Sequence, residues 1–279
     1  MSKSNVKTVS GTLELCDPVW TQVRDEATAA IAREPALGGF IYATILHHNK
    51  LEAAICHRLA QRLMHPDVDA GLLYDTFNEL LASEPALSDI FRADLIAVFD
   101  RDPACHRLID PLLYFKGFHG LQTHRFAHLL WNAGRHDFAL YLQSQASRVF
   151  SMDINPAARI GRGIFIDHGH ALVVGETAVV GDNVSILQGV TLGGTGKESG
   201  DRHPKIADGV LIGAGAKVLG NIRIGECSRI AAGSVVLKEV PPRMTVAGVP
   251  AKVVGVSDCK DPSRNMDQLF ARDVDSASS

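Results

Sequence analysis

The sequence predicts an α+β protein, with an all-helical N-terminal domain over residues 1–150 and a parallel β-helix of hexapeptide repeats over residues 151–256. Three observations predict it. Up to about residue 150, apolar side chains recur at intervals of three and four, the spacing of one helix face. From Asp153 onward, branched aliphatic residues recur every six. After Gly255 the chain turns polar and ends in DVDSASS, so residues 257–279 read as a flexible tail.

The helical half is read element by element. Asp17-Pro18 has the form of an N-cap followed by proline at the first helical position. Leu51, Ala54, Ile55, Leu59 and Leu63 make one apolar face. Further helices are expected from Asp67 to Leu81, from Pro85 to Phe99 and from Pro111 to Trp131, punctuated by HPD, SEPALSD and DRDP.

The second half keeps a different beat. Its anchors are Ile154, Ile160, Ile166, Val174, Val180, Ile186 and Leu192, then Ile206, Ile212, Val218, Ile224, Ile230 and Val236. Glycine often follows the anchor, as at Gly161, Gly175, Gly181, Gly213 and Gly225. A beat of six fits neither a 3.6-residue helix nor an alternating strand. It fits a β-helix in which each hexapeptide supplies one short strand and one turn, three to a coil of about eighteen residues. A β-sandwich would need hairpin signals that are missing.

Composition narrows the class. The chain has 279 residues, 46% of them hydrophobic and 21% charged, with a net charge of −3. That balance gives no reason to expect nucleic acid or a membrane surface as a partner. Neither a signal peptide nor an apolar run long enough to span a bilayer is read. Five scattered cysteines without CxxC spacing argue for reduced thiols in a cytoplasm, against a disulfide framework or a zinc ribbon.

The repeat breaks step twice, and solenoids carry function where the chain leaves the prism. Two extra residues intrude between Ile166 and Val174, in DHGHAL, where Asp167, His168 and His170 sit. A longer excursion, Gly193 to Lys205, reads GGTGKESGDRHPK. Asp153 lies fifteen positions before His168, close to one coil, so the two are expected to stack on neighbouring rungs. A carboxylate beside an imidazole fixes its tautomer and stabilises the imidazolium formed when it takes a proton. The plainer alternative is turn-filling.

The stretch DINPAARIGRGIFIDHGHALVVGETAVVGDNVSILQGVTLGGTGKESGDRHPKI, with RDPAC before it and AGVPAKVVG after it, resembles the bacterial serine acetyltransferases. The resemblance runs from about Val19 to Gly255. It implies a left-handed coil, L-serine and acetyl-CoA as substrates, and O-acetylserine as a product used for cysteine synthesis. By motif match, His168 is the general base and Asp153 orients it. Asp102 and Asp167 would hold the serine ammonium, Arg202 its carboxylate, with His203 in the same pocket. Gly194, Ala214 and Ala232 would line the coenzyme A groove and Lys252 would meet a phosphate; corner packing and a surface lysine are the alternatives. No metal is expected. The family further implies L-cysteine as a feedback inhibitor and a homo-oligomer, either a trimer or a dimer of trimers, with active sites between neighbouring prisms.

Two departures stand out. His170 occupies a position where the family carries small or hydroxylic residues, and with His168 and His203 it invites a histidine-metal reading of the carbonic-anhydrase kind. Many family members end in an isoleucine that enters the active site of O-acetylserine sulfhydrylase, whereas this chain ends at Ser279, which argues against that partnership. An acetyltransferase of the same fold with another hydroxyl or amine acceptor is the remaining alternative.

Overall fold

The computed structural model describes residues 17–196, 199–257, 261–266 and 268; Cys16, Cys259 and Ser279 lie outside them. Helix α1 (Pro18–Arg33) begins as its sequence dictates, with Asp17 accepting a hydrogen bond from the Trp20 amide at 3.2 Å. A 3₁₀ turn, α2 (Gly38–Ile41) and a π-helical turn (Tyr42–Leu46) lead to α3 (Leu51–Leu63). Next come α4 (Ala70–Ser83), α5 (Leu87–Arg101), α6 (Ile109–Leu113), α7 (Lys116–Asn132) and α8 (His136–Phe150).

Two helical expectations need correction. The segment read as one helix from Pro111 to Trp131 is two, because Phe115 is extended (φ −85°, ψ 111°) where the chain turns between α6 and α7. Helix α8 was not anticipated. Its buried stripe is Ala139, Leu142, Ala146 and Phe150, interleaved with a polar outer face that masks the period.

The prism follows the beat of six. Strands β1 (Met152–Ile154), β4 (Leu172–Val174), β7 (Thr191–Gly193), β10 (Lys217–Leu219) and β13 (Val235–Val236) form one parallel sheet. A second holds β2 (Arg159–Ile160), β5 (Val179–Val180), β8 (Lys205–Ile206) and β11 (Arg223–Ile224). The third holds β3 (Phe165–Ile166), β6 (Ser185–Ile186), β9 (Leu211–Ile212) and β12 (Arg229–Ile230), closed by β14 (Met244–Gly248) and the antiparallel β15 (Ala251–Val256). Together they make a solenoid of about five turns. The anchors fill its interior; apart from the half-buried Ile160, all are buried.

Register shows what each interruption does. Lys217 pairs with Val235, whereas Met152 pairs with Leu172, a coil two residues longer. Val179 pairs with Lys205, so the glycine-rich arm is spent entirely between β7 and β8. Neither excursion shifts an anchor, because parallel pairing in a closed coil leaves extra chain nowhere to go but out of a corner.

A buried polar pin joins the halves. The Asp94 carboxylate on α5 accepts from Arg125 Nε on α7 at 2.8 Å, from Gln122 at 3.0 Å and from the Ile164 amide at 3.0 Å. Arg125 also donates to the Gly161 carbonyl at 2.7 Å. Within the segment read as a flexible tail, α9 (Pro262–Asn265) packs on α5, and the Ser263 carbonyl accepts from Ser185 Oγ at 2.7 Å.

Candidate active site

The site begins at the corner between β3 and β4, where the two extra residues lie. His168, Gly169 and Ala171 all take left-handed φ values, +56°, +55° and +53°. Two of the three are not glycine, a conformation held only where surroundings impose it. Here the surroundings are α7 and β1. A Cβ on Gly169 would lie 2.7 Å from Gly117 Cα and 3.0 Å from Met152 Sδ. The turn is thus clamped between a helix N-terminus and the strand that carries Asp153, and its imidazole stands out, with 70% of the His168 side chain exposed.

Beside it lies a cleft of about 740 Å³ between the helical domain and the prism, lined by Asp102, Tyr114, Lys116, Asp167, His168 and the tail residue Met266 among others. Asp102 follows α5, and its Oδ1 accepts from the Ala104 amide at 2.8 Å. It is therefore a turn-former at a helix end. Asp167 Oδ2 lies 3.7 Å from His168 Nε2. Burial and the Asp102 charge push the Asp167 carboxyl up, against the pull of His168. Two carboxylates that repel each other in a cleft call for a cation between them.

Asp153 is placed differently from expectation. Its rung partner is Val173, because the corner insertion lengthens the coil, so His168 sits at the preceding corner and not on the rung above. Asp153 Oδ1 accepts from Gln143 Nε2 on α8 at 2.7 Å. Gln143 was not singled out from sequence, and no local signal marks it. Lys116 was missed as well: its ammonium donates to His170 Nδ1 at 3.0 Å.

Arg202 and His203 are not in this cleft. They sit where the arm rejoins the prism ahead of β8, beside the corner that follows β4. Arg202 pairs with Glu176 at 2.7 Å. The His203 ring packs against Gly175, and Thr177 donates its amide to Nδ1 at 3.1 Å. That bond makes Nδ1 the acceptor, so the neutral ring carries its proton on Nε2. Burial, then the Arg202 charge, pushes the His203 imidazole down. Within one chain the three histidines of the metal reading therefore do not converge, and no group of three or more candidate ligands among the described residues could hold a metal ion.

The remaining positions divide. Ala214 and Ala232 share the His168 edge, where Gly189 N donates to His170 O (2.7 Å), Gly215 N to Gln188 O (2.8 Å) and Gly233 N to Ala214 O (2.7 Å). Those three glycines have φ near +70°, and nothing lies within 4 Å of where a Cβ would stand on Gly215 or Gly233. Conformation, not crowding, demands glycine there, and the edge is left open. Gly194 lies instead beside Arg202, and Lys252 lies opposite Ala247 in the terminal hairpin.

Comparison with known proteins places this geometry. Residues 19–123 match the family model described as serine acetyltransferase, N-terminal, and residues 203–238 match the bacterial transferase hexapeptide model. The chain is 52% identical over 252 residues to the serine acetyltransferase of Salmonella typhimurium, covering 90% of this chain and 92% of that one. Among solved structures, a Brucella abortus serine acetyltransferase in complex with coenzyme A matches at 61% identity with a TM-score of 0.87, over 89% of this chain and all of that one. A Neisseria gonorrhoeae serine acetyltransferase in complex with serine matches at 49% identity and TM-score 0.83, over 87% of this chain and 100% of that one. A serine acetyltransferase in complex with cysteine matches at 50% and 0.89, over 91% and 98%.

Proposed function

This chain belongs to the serine acetyltransferases, a family of acyltransferases, and on that premise we propose how its residues divide the transfer of an acetyl group from acetyl-CoA to the L-serine hydroxyl. His168 Nε2 takes the hydroxyl proton as the oxygen attacks the thioester carbonyl carbon. The tetrahedral intermediate collapses, the C–S bond breaks, and the departing thiolate of coenzyme A recovers the proton from the imidazolium. O-Acetylserine and free coenzyme A leave. An unactivated alcohol is a poor nucleophile, so the proton must depart as the C–O bond forms.

The carrying observation is the pairing of Asp102 with Asp167 beside His168 Nε2. An ammonium seated on those carboxylates leaves the serine hydroxyl within reach of Nε2. The contact of Gly169 with Met152 supports Asp153 as the group that orients the imidazole, with Gln143 holding Asp153 in turn. The serine and coenzyme A complexes of the relatives support the same two substrates here, and the cysteine complex supports L-cysteine as a competitor for the serine pocket. Ala214 and Ala232 are assigned to the coenzyme A groove along the His168 edge. Gly194 and Lys252 are kept as further contacts to it.

Arg202 and His203 stand at a different corner from His168, so within a single chain the guanidinium assigned to the serine carboxylate is away from the cleft. A second copy, bringing that corner against the cleft, supplies it. The reading is thus a cytoplasmic homo-oligomer, a trimer or a pair of trimers, with each site shared by two chains. Thioester loss from acetyl-CoA with L-serine, measured for the parent and for His168→Ala, tests the base. The variant is expected to lose roughly 10²–10⁴-fold in kcat; turnover near the parent's would remove His168 from that role.

A further inference from the structure

The helical domain holds a second cavity, of about 530 Å³, that shares no lining residue with the His168 cleft. His47, His48, Lys50 and His57 line it, with Asn49, Ala53 and Tyr74. Helix α3, thirteen residues long, starts here with Lys50 at its N-cap and no side chain capping its first amides. That leaves backbone donors and the positive end of the helix facing the cavity. The nearby carbonyls are turned away: Arg24 on α1 binds those of Leu46 and His48 at 3.2 and 2.6 Å, and Trp20 Nε1 binds that of Asn49 at 2.9 Å. Those three backbone acceptors are thereby engaged, while the first amides of α3 and the Lys50 ammonium remain beside the cavity.

A second, independent feature points to an occupant. His48 is only 7% exposed, and its Nε2 has no hydrogen-bond partner. Its ring lies 5.5 Å from His47 and 5.1 Å from His57. Among the described residues, no carboxylate forms an ion pair with Lys50 or with any of these three imidazoles. The one acid in the first turn of α3, Glu52, is held by Arg92 and Ser88.

We propose that this cavity binds a small oxyanion, of the sulfate, phosphate or carboxylate class, and takes up a proton with it. The anion would accept from the uncapped amides and from Lys50, and a protonated His48 Nε2 would turn an orphaned acceptor into a donor. The groups that set the proton are His47, His48 and His57 themselves, with Arg58 on α3, Arg24 on α1, Tyr74 on α4 and the engaged Glu52. Burial pushes the His48 and His57 imidazoles down, helped by His57 and His47 at His48 and by His47 and Arg58 at His57. An anion reverses that preference, and binding therefore tightens as pH falls.

Calorimetry with sodium sulfate tests this, because sulfate carries no titrating proton between pH 6 and 8; sodium chloride matches the ionic strength. The full-length parent is expected to bind about tenfold more tightly at pH 6 than at pH 8. Lys50→Asn removes the cation and supplies a capping side chain, so it is expected to lose at least tenfold in sulfate affinity at pH 6. Its Tm without sulfate should equal or exceed the parent's. His57→Gln is expected to flatten the pH dependence. Equal sulfate affinity in the parent and Lys50→Asn, or no binding by the parent at pH 6, would overturn the site. A pH dependence that survives unchanged in His57→Gln would overturn the proton linkage.

Discussion

Gly117, the second residue of α7, is where a single methyl should reach the chemistry without touching a reacting group. It is not a left-handed position, so alanine suits its backbone. The obstacle is β3. A Cβ there would stand 3.1 Å from the Ile166 carbonyl carbon, with the oxygen of that carbonyl on the near side. Subtracting a C=O bond of about 1.23 Å leaves methyl and oxygen overlapping by roughly 1 Å. Ile166 immediately precedes Asp167 and His168, and Gly169 rests on Gly117, so relief of the clash must move the catalytic turn. A displacement of that size costs on the order of 10²-fold in kcat, whereas an overpacked methyl costs about 1–3 kcal/mol of stability. Steady-state thioester loss with L-serine, beside urea unfolding, separates the two effects. A Gly117→Ala protein that folds and keeps kcat within threefold of the parent would refute the argument that α7 sets the position of His168.

Three further outcomes follow from the same geometry. Co-expressed His168→Ala and Arg202→Ala chains, each nearly inactive alone, should recover a measurable fraction of parent activity if one site draws on two chains; differentially tagged mixed oligomers with no activity would exclude sharing. Asp94→Ala leaves Arg125 buried and unpaired between the domains, so unfolding free energy should fall by about 3–5 kcal/mol, read as a drop in the urea midpoint. His119 donates from Nε2 to the Leu112 carbonyl at 2.8 Å, while burial pushes its imidazole down to about 3. Unfolding lets that ring take a proton near pH 6.5, so its share of stability is complete above that pH and falls away toward pH 3. The slope is about 1.4 kcal/mol per pH unit, and His119→Gln should flatten the stability profile between pH 6 and 4 by that amount.

Much of this molecule is legible in its sequence, and the reason is periodicity. The beat of six names the anchors one by one, since each short strand turns one branched aliphatic side chain into the prism interior. The slip at Asp167 and His168 is legible for the same reason, as a defect in a regular lattice. What the beat conceals is the effect of its own breaks. Counting fifteen residues from Asp153 to His168 suggested neighbouring rungs, but the two inserted residues lengthen that coil and set Val173 there. Contacts made across the domain boundary are hidden altogether. Gln143 on Asp153, Lys116 on His170 and Gly117 on Ile166 each join distant elements that no local pattern pairs. Thr177, which fixes the tautomer of His203, falls in the same class.

The glycine ladder beneath His168 makes that edge a ruler. Backbone bonds set each step at about 4.8 Å, so the three steps from the His168 corner to the Ala232 corner span roughly 14 Å whatever side chains are present. The long arm, by contrast, leaves and rejoins the prism at another edge. Length variation is thereby quarantined: residues can be gained or lost in the arm over evolutionary time while the spacing along the ruler stays fixed, so the reach of one loop and the gauge of a ligand groove are inherited as separate traits.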